Sequence, residues 1–233
     1  MKSILLRIKF LYIILDLIIS AAIGLIFLYF DGENTRARRR RWAYKRLKHA
    51  GIELKYYGEL DLEAELLMMN HQSLLDILIY EAVHPKDIAW VAKKEIADMP
   101  WLGNMLKFPK MIIIDRTDKA GLVKLLREAK DRWEKKRPII IFPEGTRGKG
   151  DKMLKFKQGA KLVAEKYHLK VQPVVLVNTR NLLDSHAFKF NSGVVEIHYL
   201  EPFYPDDENW YKKTYEDMNK VFQDALANSA SNR

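Results

Sequence analysis

The sequence predicts a mixed α/β fold, a largely parallel sheet flanked by helices, with a two-helix membrane anchor at its N-terminus. Three observations predict it. Short runs rich in β-branched residues alternate with amphipathic helical stretches, the pattern of strand–helix–strand units. Several of these runs are apolar throughout, as strands covered on both faces are. Ahead of them, residues 10–30 read FLYIILDLIISAAIGLIFLYF, long enough to cross a bilayer, which takes roughly 20 apolar residues. A chain of 233 residues holds one domain of this kind and an appendage. The expected division is residues 1–50 for the anchor and 51–233 for the α/β domain.

Composition narrows the chemistry. A hydrophobic content of 48% supplies a core, and a charged content of 30% keeps most of the chain out of lipid. Cysteine is absent, which excludes disulfides, thiolate metal sites and a cysteine nucleophile, and suits a reducing compartment. A net charge of +10, from 40 basic and 30 acidic residues, favours an anionic partner: lipid headgroups, nucleic acid or a phosphorylated small molecule.

The N-terminal segment admits three readings. A cleaved signal peptide is disfavoured, because the apolar stretch exceeds the usual hydrophobic region and no small-x-small site precedes Asp31. A single span puts the run RARRRR, residues 36–41, on the cytoplasmic side. It also leaves Asp16 mid-helix, at a cost of about 2.5–3.5 kcal/mol. In a monotopic anchor, the first helix dips into one leaflet and a second, residues 36–49, lies at the headgroup plane. Each arginine there adds about 1 kcal/mol of attraction to an anionic surface. This reading stands slightly ahead of the span. Either way the expected location is the cytoplasmic face of the inner membrane. The bland alternative for the arginine run, a solvated face or a nucleic-acid arm, explains its place beside an apolar helix less well.

Further on, residues 52–57 suit an edge strand, and 66–69 form a short buried run. Residues 74–83 read as a helix closed by His84-Pro85. Residues 88–92, 111–114 and 138–142 are expected strands. Residues 118–136 form an amphipathic helix with Leu122, Leu125, Leu126, Ala129 and Trp133 on one stripe. A helix at 157–167, strands at 171–177 and 194–200, and a last helix at 209–227 complete the domain.

The segment NHQSLLD, residues 70–76, carries the most chemical information. In a continuous helix His71 and Asp76 would point about 140° apart and could not touch. If the helix begins at Ser73, the histidine lies in the strand-to-helix turn and can fold back onto the carboxylate. Open α/β sheets build their sites at such carboxyl ends. Asp76 would then fix the imidazole tautomer and leave the other ring nitrogen to accept a proton. Ser73-x-x-Asp76 fits a capping box equally well, with Asp76 merely satisfying backbone N–H groups.

Two companions favour the site. FPEGTR, residues 142–147, follows an interior strand, and its glycine lets backbone approach an anion while Arg147 offers a fork for phosphate or carboxylate. IIIDR, residues 112–116, delivers Arg116 at another strand end. The lysines Lys93, Lys94, Lys149 and Lys157 sit near loop edges or helix starts, where most are solvated. GxSxG, Walker, HExxH and GxGxxG patterns are missing, and Ser73 suits an N-cap better than a nucleophile.

Together these segments resemble the glycerolipid acyltransferases, whose first motif is N-H-x-x-x-x-D, and specifically the bacterial 1-acylglycerol-3-phosphate acyltransferases. NHQSLLD, IIIDR, FPEGTR and VQPVVL (residues 171–176) look like four motifs of that family in the expected order. The resemblance implies His71 as catalytic base with Asp76 as its partner. It places Arg116, Glu144, Gly145, Thr146 and Arg147 around the phosphate of the acceptor, and makes Lys93 similar to a family lysine, with Lys94 leaving the register open by one. Ile113 departs from the family pattern, which commonly has an aromatic residue there, and this leaves open the shape of the acceptor pocket but not the chemistry.

The activity implied is transfer of a fatty acyl group from acyl-CoA or acyl carrier protein to the sn-2 hydroxyl of lysophosphatidic acid, making phosphatidic acid for phospholipid biosynthesis. Glycerol-3-phosphate or another lysolipid is the alternative acceptor. A non-catalytic anionic-lipid-binding protein is the rival of another class. The expected partners are the phospholipid bilayer, the acceptor and the donor, with no nucleic acid. No metal or cofactor is expected. Backbone N–H groups at the helix start or in the Gly145 loop are expected to stabilise the oxyanion.

Overall fold

Apolar strands buried on both faces organise the molecule. The computed structural model describes residues 2–31, 35–115 and 120–231. Helices α1 (Lys2–Asp31) and α2 (Arg36–His49) lead into β1 (Ile52–Tyr57), β2 (Leu66–Met69), α3 (Leu75–Val83) and β3 (Ala89–Lys93). Two short helices follow, α4 (Lys94–Ala97) and α5 (Asn104–Lys107), then β4 (Ile112–Ile114), α6 (Ala120–Glu134), β5 (Ile139–Ile141), α7 (Gln158–Tyr167) and β6 (Val171–Val177). A one-turn helix, α8 (Thr179–Leu182), precedes a small hairpin of β7 (Leu183–Asp184) and β8 (Lys189–Phe190); β9 (Gly193–Tyr199) and α9 (Trp210–Ser231) end the fold.

The strands pair in the order β1-β9-β6-β2-β5-β3-β4. All neighbours are parallel except β6 and β9. The expected largely parallel sheet is therefore present, with β1 at its edge as expected. Alternate residues of β2 divide between two cores. Leu67 and Met69 pack with Ile140, Val174 and Leu176 toward α3, whereas Leu66 and Met68 pack with Ile139, Ile141 and Val171 toward α6 and α7. Local chemistry sets the element ends. Before Pro85, His84 is extended (ψ 129°) and stops α3; His168 takes the left-handed conformation (φ 49°) and stops α7.

Helix α1 is not a plain apolar rod. Tyr12, Asp16 and Ser20 share one stripe and face α2. Asp16 accepts an N–H of Arg46 at 2.6 Å, Ser20 Oγ accepts from the Trp42 indole at 3.0 Å, and Tyr12 Oη lies 2.9 Å from His49 Nε2. A paired Asp16 escapes the cost expected of a lone mid-helix carboxylate. Phe10 and Ile13 pack into the domain, and Phe10 meets Phe188 edge-to-face at 5.5 Å. The opposite face, including Ile8, Leu11, Leu15, Ile19 and Ile23, is exposed.

The arginine run departs from a uniform headgroup surface. Arg36 and Arg39 are buried, and both donate to Glu81 of α3, at 2.5 and 2.7 Å. Trp90 Nε1 donates to the same carboxylate at 2.9 Å, and Arg39 also pairs with Asp87. Of the run's five arginines, Arg38, Arg40 and Arg41 are exposed. Helix α2 is thus docked onto α3 by a buried ion cluster, in addition to any contact with lipid.

Candidate active site

Because β6, β2, β5, β3 and β4 run the same way, their carboxyl ends share one edge of the sheet. His71 follows β2 there, Phe142 to Glu144 follow β5, Lys93 ends β3 and Asp115 follows β4. Arg116 lies outside the described residues.

At the end of β2, the buried Asn70 side chain bonds Leu176 twice, Nδ2 to its carbonyl at 2.8 Å and Oδ1 from its N–H at 2.7 Å. This ties the turn to β6 while the backbone leaves the sheet. Regular helix begins at Leu75, two residues after the expected start at Ser73. His71 therefore sits in the turn, with Asp76 in the first helical turn.

Nδ1 of His71 is 2.8 Å from Asp76 Oδ2. The same oxygen accepts the N–H groups of Gln72 at 2.7 Å and Ser73 at 2.8 Å. One carboxylate oxygen thus caps the helix and orients the imidazole, so the capping reading and the His–Asp reading hold together. Asp76 is fully buried and acts as acceptor, which makes Nδ1 the protonated nitrogen and leaves Nε2 to accept a proton. The His71 ring lies flat on Phe142, centroids 3.9 Å apart and planes 10° apart, so packing fixes its second degree of freedom.

Glu144 is 1% exposed. Its Oε1 accepts the His71 N–H at 2.7 Å and its Oε2 the Leu154 N–H at 2.6 Å. Burial pushes its carboxyl up to about 7, and the nearby Asp76 charge acts in the same direction. Both oxygens of the side chain are therefore taken up by backbone N–H groups. It is turned inward, bracing the residue that carries the imidazole.

The FPEGTR loop is built from tight backbone turns. Gly145 has φ +73° and donates its N–H to Phe142 O at 3.0 Å. Gly148 donates to His71 O at 2.7 Å, and a Cβ there would meet the Gln72 side chain at 2.6 Å. Gly150 N–H bonds Gln72 Oε1 at 2.9 Å. The amides of Gln72, Ser73, Gly145, Gly148 and Gly150 are therefore engaged within the protein. An oxyanion donor at the helix start or in the Gly145 loop would have to be another amide than these five.

Thr146 is exposed and Arg147 half-buried, and Arg147 Nη1 donates to Ser185 Oγ at 2.8 Å. Lys94 is held by Asp98 at 2.6 Å. Among the described residues no such ion pair holds Lys93, which is half-buried at the strand end. Sequence reading gave no role to Phe142, Gln72 or Ser185. The first two lie inside recognised motifs and were within reach. Ser185 lies in a hairpin with no periodic signal.

A half-buried His71 paired with a buried Asp76 at the carboxyl edge of an α/β sheet, beside a glycine loop carrying an arginine, is an arrangement that can serve base-assisted transfer onto an anionic acceptor. The family model described as acyltransferase matches residues 54–177, and the chain belongs to this acyltransferase family. It is 42% identical over 220 residues to the 1-acyl-sn-glycerol-3-phosphate acyltransferase of Helicobacter pylori, covering 93% of each chain. It is 31% identical to the enzyme of that name from Limnanthes douglasii over 75% of this chain and 62% of the other. The crystal structure of the 1-acyl-sn-glycerophosphate acyltransferase PlsC from Thermotoga maritima superposes with a TM-score of 0.74 over 97% of each chain, at 21% identity, and shares the fold.

Proposed function

We propose that the chain acylates the free sn-2 hydroxyl of 1-acylglycerol-3-phosphate, making phosphatidic acid, with His71 as general base and Asp76 as the group that orients it. The observation that carries this reading is the 2.8 Å contact between His71 Nδ1 and Asp76 Oδ2, at the edge that also bears Arg147. A relative matched over nearly the whole chain carries this activity in its name.

The acceptor hydroxyl hydrogen-bonds His71 Nε2 and attacks the thioester carbonyl of acyl-CoA or acyl carrier protein. The ester C–O bond forms, the C–S bond breaks, and the proton passes through the imidazole to the departing thiolate. Arg147, with Arg116 and Lys93, holds the phosphate and so places the hydroxyl. Thr146 lies on the exposed side of the same loop, and Gly145 shapes it. Glu144 acts from beneath, through the backbone of His71.

The apolar outer face of α1 is the proposed membrane attachment, on the cytoplasmic side where both candidate donors are found. Packing of Phe10 and Ile13 against the domain supports a monotopic arrangement, because those positions cannot also be surrounded by lipid.

Purified protein in phospholipid vesicles, offered several acceptors with each donor, tests the reading. We expect thiol release and phosphatidic acid with 1-acylglycerol-3-phosphate. Vesicle binding without thiol release from either donor would instead support a non-catalytic lipid-binding protein.

A further inference from the structure

The hairpin between α8 and β9 touches both the membrane-facing helix and the anion-binding loop. Its tip residue Phe188 packs on Phe10 of α1, and its first strand is pinned to the base-bearing turn by Ser73 Oγ, which donates to Leu183 O at 2.7 Å. Between these anchors, Ser185 Oγ receives Nη1 of Arg147 at 2.8 Å.

The hairpin's own acid is directed elsewhere. Asp184 Oδ1 accepts the N–H groups of His186 at 2.8 Å and Ala187 at 2.9 Å, and pairs with Arg180 at 3.0 Å. These bonds fix the turn that presents Ser185. Arg180 also reaches Gly148 O, at 3.4 Å, which ties the hairpin to the FPEGTR loop a second time. Arg147 thus meets a hydroxyl, although a carboxylate stands one residue away. A neutral acceptor holds a guanidinium in place without discharging it, whereas a carboxylate would occupy the fork that a phosphate needs.

We propose that Ser185 is a positioning residue that holds Arg147 ready for the phosphate of the acceptor while leaving its charge intact. This inference rests on the reading of Arg147 as a phosphate clamp.

Steady-state kinetics of Ser185→Ala, Ser185→Thr, Ser185→Asp, Arg147→Ala and the Arg147→Ala/Ser185→Ala double variant in vesicles test it. Ser185→Ala should raise the acceptor KM roughly 10- to 150-fold, the size expected for one hydrogen bond to a charged group, and move kcat and the donor KM much less. Ser185→Thr keeps the hydroxyl and should restore most of the loss. Ser185→Asp should raise the acceptor KM further than alanine, although it keeps a partner for Arg147. In the Arg147→Ala background, Ser185→Ala should add little. If Arg147→Ala leaves the acceptor KM unchanged, the clamp itself is wrong. If Arg147→Ala raises it but Ser185→Ala does not, or the two effects add, or aspartate performs as well as serine, the role given to Ser185 is wrong.

Discussion

Glu144 is a buried carboxyl that reaches two backbone N–H groups beside the imidazole-bearing turn. Its two oxygens hold the N–H groups of His71 and Leu154, so the position of His71 depends on it. Its folded pKa is about 7 against an ordinary 4.5. Between these values the native state binds more protons than the unfolded chain, so the stability this group contributes falls as pH rises from about 4.5 to about 7 and is level above. His84 has the opposite sign. Burial lowers it from 6.5 to about 4, and its contribution is lost as pH falls through that window.

In wild type the two tendencies oppose each other on acidification. Glu144→Gln removes the first and leaves the second. The variant should be less stable by about 1–3 kcal/mol near neutrality, because an amide cannot accept from both N–H groups. Its Tm should also drop more steeply than wild type from pH 6.5 to 4.5. Parallel Tm curves for the two proteins would refute the titration assigned to Glu144.

At the scale of elements, α2 is held to α3 by Glu81, which receives Arg36, Arg39 and the Trp90 indole. Glu81→Ala would strand two buried guanidinium groups and should cost about 3–5 kcal/mol in chemical denaturation. A loss below about 1 kcal/mol would mean that the cluster is solvated and does not dock the helix. This contact was not legible in RARRRR. Composition shows an arginine run, but not that two of its members turn inward to partners more than 40 residues later, nor that Asp16 is met by Arg46. Periodicity revealed the long helices and apolar strands because burial on one or both faces imposes it. Helices α4, α5 and α8 and the β7–β8 hairpin are too short to display a period. Their existence depends on contacts such as Ser73 with Leu183, made across more than 100 residues of chain.

Across the whole molecule, the parallel sheet does the assembling. Five strands pointing one way bring residues 70–76 and 142–147 to one edge, although about 70 residues separate them. The His–Asp pair and the FPEGTR loop were readable in sequence because both are local motifs that end strands. The backbone wiring between them was not. Gly148 to His71 O and Gly150 to Gln72 join two segments that no local pattern connects. Because the edge is braced independently of the imidazole, through Asn70, Glu144 and Gln72, removing the ring should leave the fold intact.

The most direct measurement is therefore single-turnover acyl transfer to 1-acylglycerol-3-phosphate by folded His71→Ala at saturating donor and acceptor. Loss of the general base should lower the rate by about 10²–10⁴-fold, with circular dichroism and Tm close to wild type. Transfer within tenfold of wild type would mean that the proton leaves the hydroxyl by another route, and that the imidazole beside Asp76 is not the base.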